Sequence, residues 1–175
     1  MRKLFKNEVF RTIVSYAFII LIVVLIRLFI FDPVRVEGHS MDTTLSDGEI
    51  MILNKVYYRK NDIERFDIVV VDEGDKNIIK RVIGLPGEVI SYRNNKLYID
   101  GQEVSDPFPS KKTEDFTLGD IGHERIPGGC YFVMGDNRSN SLDSRSEAIG
   151  VIRKKQILGK ANLVVWPLNK VGNVK

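Results

Sequence analysis

The stretch Ile13-Val-Ser-Tyr-Ala-Phe-Ile-Ile-Leu-Ile-Val-Val-Leu-Ile-Arg-Leu-Phe-Ile-Phe31 decides how this chain is built. It holds one charge, Arg27, close to its far end. A helix of about 20 apolar residues crosses a bilayer core of roughly 30 Å. The stretch meets that length if Arg27 carries its guanidinium to the interface along its apolar stem. A core helix of a water-soluble domain would show a polar stripe; this segment is apolar all round. Arg2, Lys3, Lys6 and Arg11 precede it, a bias that keeps the N-terminus cytoplasmic and sends the C-terminal part across the membrane. A cleavable signal peptide has a core of about 7–15 apolar residues and then a small-x-small site. Here Phe31-Asp32-Pro33-Val34-Arg35 comes next instead. The expected organisation is a cytoplasmic tail over 1–12, one transmembrane signal anchor over 13–31, and an extracytoplasmic domain over 32–175.

The exported part is long enough to bury a core without staples. Cys130 is the only cysteine, so the chain forms no internal disulfide. That lone thiol and two histidines, His39 and His123, argue against a metal centre. The net charge of +3 is mild and shows no basic stripe interleaved with aromatics. Nucleic acid is therefore not an expected partner, whereas an anionic lipid surface is compatible.

Short β-branched runs broken by turn signals give a mainly β reading. Strands are expected over 34–38, 49–54, 67–72, 78–85, 89–93, 96–99, 131–135 and 158–166. Asp47-Gly48, Pro86-Gly87 and Pro127-Gly128-Gly129 punctuate them. Asn94-Asn95 and Asp100-Gly101 sit where tight hairpins need positive φ. Residues 93–128 read as an inserted hairpin-and-loop excursion from the main sheet. No soluble helix longer than about two turns is expected. The fold class is thus an antiparallel β domain with a small β excursion, carried on one N-terminal helix.

Strand parity points to chemistry. In an extended segment Val34, Val36, Gly38 and Ser40 share one side, and His39 points away from it. Ile78, Lys80 and Val82 likewise share a face. A lysine between aliphatics loses water, which disfavours its charged form. A neutral lysine can take the proton of a serine hydroxyl, which is otherwise a weak nucleophile. Ser40 and Lys80 are therefore a candidate dyad, and His39 is a poor base for Ser40.

The ordered segments around these residues resemble bacterial type I signal peptidase. Ser40-Met41-Asp42-Thr43-Thr44-Leu45 is similar to that family's nucleophile box, with Thr43 where the pattern has proline. Lys80-Arg81-Val82-Ile83-Gly84-Leu85-Pro86-Gly87-Glu88 matches its lysine box, and Gly135 to Arg145 matches its Gly-Asp-Asn-Arg box. The valine-rich strand Asp67 to Val71 fits the remaining box. The resemblance implies Ser40 as nucleophile, Lys80 as general base, Ser141 as the hydroxyl that orients the Lys80 amine, and an Asp143–Arg145 pair holding the loop. It implies the Ser40 backbone N–H as one oxyanion donor. Gly38 stands where some relatives carry a donor serine; glycine has no hydroxyl, so the second donor is a backbone N–H, that of Gly38 among the candidates, a water or nothing.

The activity so implied is removal of signal peptides from secreted preproteins at small-x-small sites, with no cofactor. Val34, Val36, Ile78 and Val82 are expected to line a shallow groove that accepts small side chains. Exposed edges near Val34–Gly38 and Ile78–Ile83 are expected to pair with an extended substrate. Nine extended residues after Phe31 reach at most about 30 Å, which places Ser40 near the outer membrane surface, with Met41 touching lipid. Expected partners are translocated preproteins, the bilayer and the secretion translocon. Two other readings stay open: a catalytically silent homologue that binds signal peptides, and a pilus or conjugation processing peptidase. A self-cleaving repressor of the same chemistry is a poorer match, since this chain carries an anchor where such proteins carry a DNA-binding domain.

Overall fold

The computed structural model describes residues 2–42, 44–108 and 112–174, with side chains from position 8 onward. Thr43 lies outside the described residues, and with it the expected effect of losing the family's proline.

Helix α1 covers Arg2–Phe29. Within it Glu8–Phe29 is long and apolar enough to cross a membrane, and none of it is buried against the rest of the chain. The helix starts earlier than position 13 because residues 2–12 contain no proline or glycine to stop it. It ends before Phe31 because Pro33 biases its predecessor, Asp32, toward extended backbone. Strand β1 comes next at Phe31–Arg35, upstream of the expected 34–38. Gly38, with φ +84°, marks where the chain turns away.

The large sheet contains eight antiparallel strands: β1, β2 (Ile50–Asn54), β3 (Ile68–Asp72), β4 (Asn77–Gly84), β9 (Cys130–Met134), β10 (Ile152–Arg153), β11 (Ile157–Trp166) and β12 (Gly172–Asn173). Their order is β1-β2-β11-β3-β4-β9-β10, with β12 also on β11. Alternation sorts the side chains as a pleat requires. On β3, Ile68 and Val70 face a core shared with Met51, Leu53 and Val164, while Val69 and Val71 face another with Val82 and Val133.

The small sheet, in the order β7-β6-β5-β8, contains β5 (Ile90–Arg93), β6 (Lys96–Ile99), β7 (Gln102–Val104) and β8 (Phe116–Thr117). It begins at Ile90, ahead of the expected 93. Asn94 and Asn95 take φ of 51° and 67°, and Asp100 and Gly101 take 50° and 82°. These conformations suit tight antiparallel hairpins. Ile90, Tyr92, Leu97 and Phe116 pack against Ile83 and Phe132 of the large sheet, with the rings of Phe116 and Phe132 5.3 Å apart. Beyond α1, every described helix is a short 3₁₀ turn.

Candidate active site

Ser40 sits in a turn fixed on two sides. The Gly38 N–H donates to Asp47 Oδ1 at 2.8 Å. The Thr44 and Leu45 N–H groups both donate to the Met41 carbonyl at 2.9 Å. Met41 and Leu45 plunge into the core and are 1% and 0% exposed. Met41 therefore faces Val70 and Ile79 in the protein interior and not lipid. The hydrophobic gain of sinking a methionine, about 1.5–3 kcal/mol, explains the preference. From the other side Asn137 donates its N–H to the Ser40 carbonyl at 3.0 Å and its amide to the His39 carbonyl at 2.9 Å.

Lys80 lies on β4 opposite Val69 and is 3% exposed. Its Nζ donates to Ser40 Oγ at 2.8 Å. Among the described residues no carboxylate comes within ion-pair distance of it. Burial pushes its ammonium down from 10.5 to about 8. The charges of Asp143 and Glu73 act against that shift, and those of Lys76 and Arg145 add to it. An amine so placed is close to the balance point between holding and releasing a proton near neutral pH. His39 Nδ1 instead lies 3.2 Å from Asp42 Oδ2, on an exposed side chain.

The loop from Gly135 to Arg145 closes over this pair. Arg145 grips Asp143 with Nε on Oδ1 at 2.8 Å and NH2 on Oδ2 at 2.9 Å. Asp143 Oδ2 also accepts the Gly135 N–H at 3.1 Å. A side chain at Gly135 would collide with the Ser141 hydroxyl and the Ser40 carbonyl oxygen, so only glycine lets loop and turn approach this closely. Ser141 Oγ is buried and has no hydrogen-bond partner among the described residues. It does not bond to Lys80 in this state, contrary to the expected orienting contact, because the lysine reaches Ser40 instead.

Two further expectations are corrected. The Gly38 N–H is committed to Asp47, whose Oδ1 accepts it at 2.8 Å; it is not a free oxyanion donor. Val82 does not line the groove. It is 0% exposed and packs against Val69, Val133 and Ile152. It pairs with β9 through Val133, which also means that the open edge of β4 stops at Lys80 and does not reach Ile83. The groove, about 460 Å³, runs between Val34, Val36 and Ser40 on one wall and Ile78, Ile79 and Lys80 on the other. Leu142, 55% exposed, stands on its rim.

Sequence reasoning missed the residues that hold these pieces together. Arg81 and Asp136 form a wholly buried ion pair, with Nε on Oδ1 at 2.9 Å and NH2 on Oδ2 at 2.7 Å. Asp136 also accepts from Thr44 Oγ1 at 2.5 Å, and Arg81 donates to the Phe66 carbonyl at 2.9 Å. Strand β4, the Ser40 turn and the Gly135 loop thus meet on one guanidinium. The available signal was an arginine inside an apolar strand, since a buried charge requires a partner.

A family profile described as "Signal peptidase, peptidase S26" matches residues 9–166. Signal peptidase I of Bacillus licheniformis is 39% identical over 174 residues, covering 95% of this chain and 93% of that protein. Signal peptidase I of Bacillus caldolyticus is 43% identical over 160 residues, covering 85% and 87%. The crystal structure of a signal peptidase I from Enterococcus faecalis V583 superposes with a TM-score of 0.52 at 34% identity, over 57% of this chain and 97% of that one. With the match running from the apolar helix to Trp166, the last residue of β11, the chain belongs to the signal peptidase family, peptidase S26.

Proposed function

We propose that this protein is a membrane-anchored serine endopeptidase that removes signal peptides from secreted preproteins after small-x-small sequences. The observation that carries the reading is the buried Lys80 amine, 2.8 Å from the Ser40 hydroxyl. In its neutral form Lys80 accepts the Ser40 proton as Oγ attacks the scissile carbonyl. The protonated amine then returns that proton to the leaving nitrogen, giving an acyl-enzyme and a free amine. Water, deprotonated by Lys80, attacks the ester carbonyl and releases Ser40. The Ser40 N–H, which has no hydrogen-bond partner among the described residues, serves the oxyanion. One such donor contributes about 3–4 kcal/mol in the transition state. Ser141, with its hydroxyl unspent, accepts from the Lys80 ammonium once the Ser40 proton has moved. Asp143 and Arg145 hold the loop in which Ser141 lies.

The groove supports the substrate class. Among the described residues Asn77 to Lys80 of β4 has no strand partner on its outer side, since β9 pairs only from Arg81 onward. Strand β1 pairs only with β2 among the described residues. An extended peptide entering between these edges is bound through its main chain, and aliphatic walls suit small apolar side chains at the positions that face them. The helix anchors the protein in the cytoplasmic membrane with its N-terminus inside. The catalytic domain then meets preproteins on the outer face as they leave the translocon. The test is cleavage of a model preprotein in detergent by the full chain and by Ser40→Ala and Lys80→Met. Loss of cleavage in both, with circular dichroism unchanged, is the expected result; normal turnover by either ends the dyad reading. The intact dyad geometry disfavours a catalytically silent homologue.

A further inference from the structure

The small sheet contributes nothing to the chemistry proposed above, yet it reaches the catalytic loop. Between β7 and β8 the chain passes through Ser105-Asp106-Pro107-Phe108 without regular structure. Extended backbone sends alternate side chains to opposite sides. Pro107 is exposed, while Asp106 and Phe108 turn inward. They end on two different arginines.

Asp106 Oδ2 lies 2.8 Å from Arg138 NH1, and that arginine's side chain is fully sealed from solvent. The same oxygen accepts from the Tyr92 hydroxyl at 2.6 Å. Arg138 NH1 donates to the Tyr92 oxygen at 2.9 Å and to Thr113 Oγ1 at 3.2 Å. Arg138 Nε donates to the Gly135 carbonyl at 3.0 Å, and the Arg138 carbonyl accepts from Arg145 at 2.7 Å. Gly135 is the residue pressed against Ser40 and Ser141. Two residues on from Asp106, the Phe108 ring centre lies 3.6 Å from the Arg81 guanidinium carbon and 5.3 Å from the Phe66 ring centre. Arg81 is the immediate neighbour of Lys80 and holds Asp136.

We propose that Asp106 and Phe108 are positioning residues for the Ser40–Lys80 reaction, a strap from the small sheet that clamps Arg138 and Arg81. This inference rests on the serine–lysine reading of the site. The strap touches neither reacting side chain. It fixes the two cations that set the height of the Gly135 loop above the Ser40 turn. Asp106 is the only carboxylate paired with Arg138 among the described residues, and a buried guanidinium stripped of its anion is an uncompensated charge that disfavours this packing. The loop carrying Ser141 and Asp143 shifts with that packing, while the groove walls on β1 and β4 stay in place. The reaction then suffers more than substrate binding does.

The experiment uses the full chain in detergent with a model preprotein, well below each variant's melting midpoint. Expected for Asp106→Asn is a kcat about tenfold lower or worse with KM within about twofold, the pattern of lost transition-state alignment. Asp106→Glu should restore most of kcat, and Phe108→Leu should fall between. Rates are expressed per molecule able to acylate, titrated with a covalent serine-directed probe. Should Asp106→Asn not fold, Tyr92→Phe removes the hydroxyl that bonds both Asp106 and Arg138 while leaving their ion pair, and a smaller loss of kcat at unchanged KM is expected. Wild-type kcat in Asp106→Asn or its substitute, beside an inactive Ser40→Ala, overturns the strap alone. So does a loss that vanishes once rates are counted per acylating molecule. Cleavage persisting in Ser40→Ala overturns the dyad reading on which it rests.

Discussion

Lys80 and Arg81 are neighbours on one strand, both buried, and they are treated in opposite ways. Arg81 faces Asp136 across two short hydrogen bonds, with no solvent access on either side. Lys80, on the other face of β4, has only the Ser40 hydroxyl as a side-chain partner among the described residues. An anion compensates the water that the guanidinium loses; burial pushes the Lys80 ammonium toward deprotonation, and among the described residues no carboxylate lies beside it to compensate. Burial alone therefore does not decide whether a cation is structural or reactive. The partner and the kind of side chain decide together, since an amine gives up its proton on burial far more readily than a guanidinium.

The largest test of that contrast is Lys80→Met. Cleavage should fall below detection. Stability should rise at pH 7, because the wild-type fold must hold a proton on a buried amine. The folded lysine releases it near pH 8 and the unfolded chain near 10.5. Between those values the unfolded state binds more protons, so stability climbs with pH there. Below pH 8 the whole penalty is present, on the order of 3 kcal/mol. Thermal midpoints of both proteins at pH 7 check this, and a lower midpoint for the variant breaks the comparison. Arg81→Met should act in the reverse sense. It strands a buried carboxylate and should destabilise the domain by about 3–5 kcal/mol in denaturant titrations. Adding Asp136→Leu should return part of that loss, which a merely bulky Arg81 would not predict.

A smaller effect is expected in the pH profile. kcat/KM should rise with pH to a plateau, with its midpoint near the Lys80 value of about 8. Glu73→Gln removes an anion that holds the proton on Lys80, so the midpoint should move to lower pH by a fraction of a unit. A shift to higher pH refutes the assignment of that limb to Lys80. The smallest change is Ser141→Ala. Its hydroxyl has no partner among the described residues, so the melting midpoint should hardly move. The rate should drop about tenfold, the worth of roughly one hydrogen bond formed only during reaction. An equal loss in stability and rate would falsify that division.

How much of the molecule is legible in its sequence depends on the range of each interaction. Parity places Lys80 between Ile78 and Val82 on one face, because alternation is local. The tight hairpins at Asn94-Asn95 and Asp100-Gly101 are legible for the same reason. Parity cannot say that Val82 is roofed by β9 while Ile78 is not, since β9 joins β4 from about 50 residues away and only from Arg81 onward. Nor can it pair Arg81 with Asp136, 55 residues apart. The strands β8, β10 and β12 are two residues long, too short for any period to register. Met41 reads as a lipid-facing residue because its distance from the anchor is visible in the sequence and the core beneath it is not.

The junction between α1 and β1 has a consequence for the cut itself. One residue, Ile30, separates helix from strand. Its carbonyl accepts the Lys55 N–H at 2.9 Å, and the Lys55 ammonium lies 2.8 Å from Asp32. There is no tether here to swing. A bilayer holding the helix also sets the elevation of the nucleophile, so the junction acts as a ruler. Which bond of an emerging peptide is severed then depends on depth as much as on side-chain size.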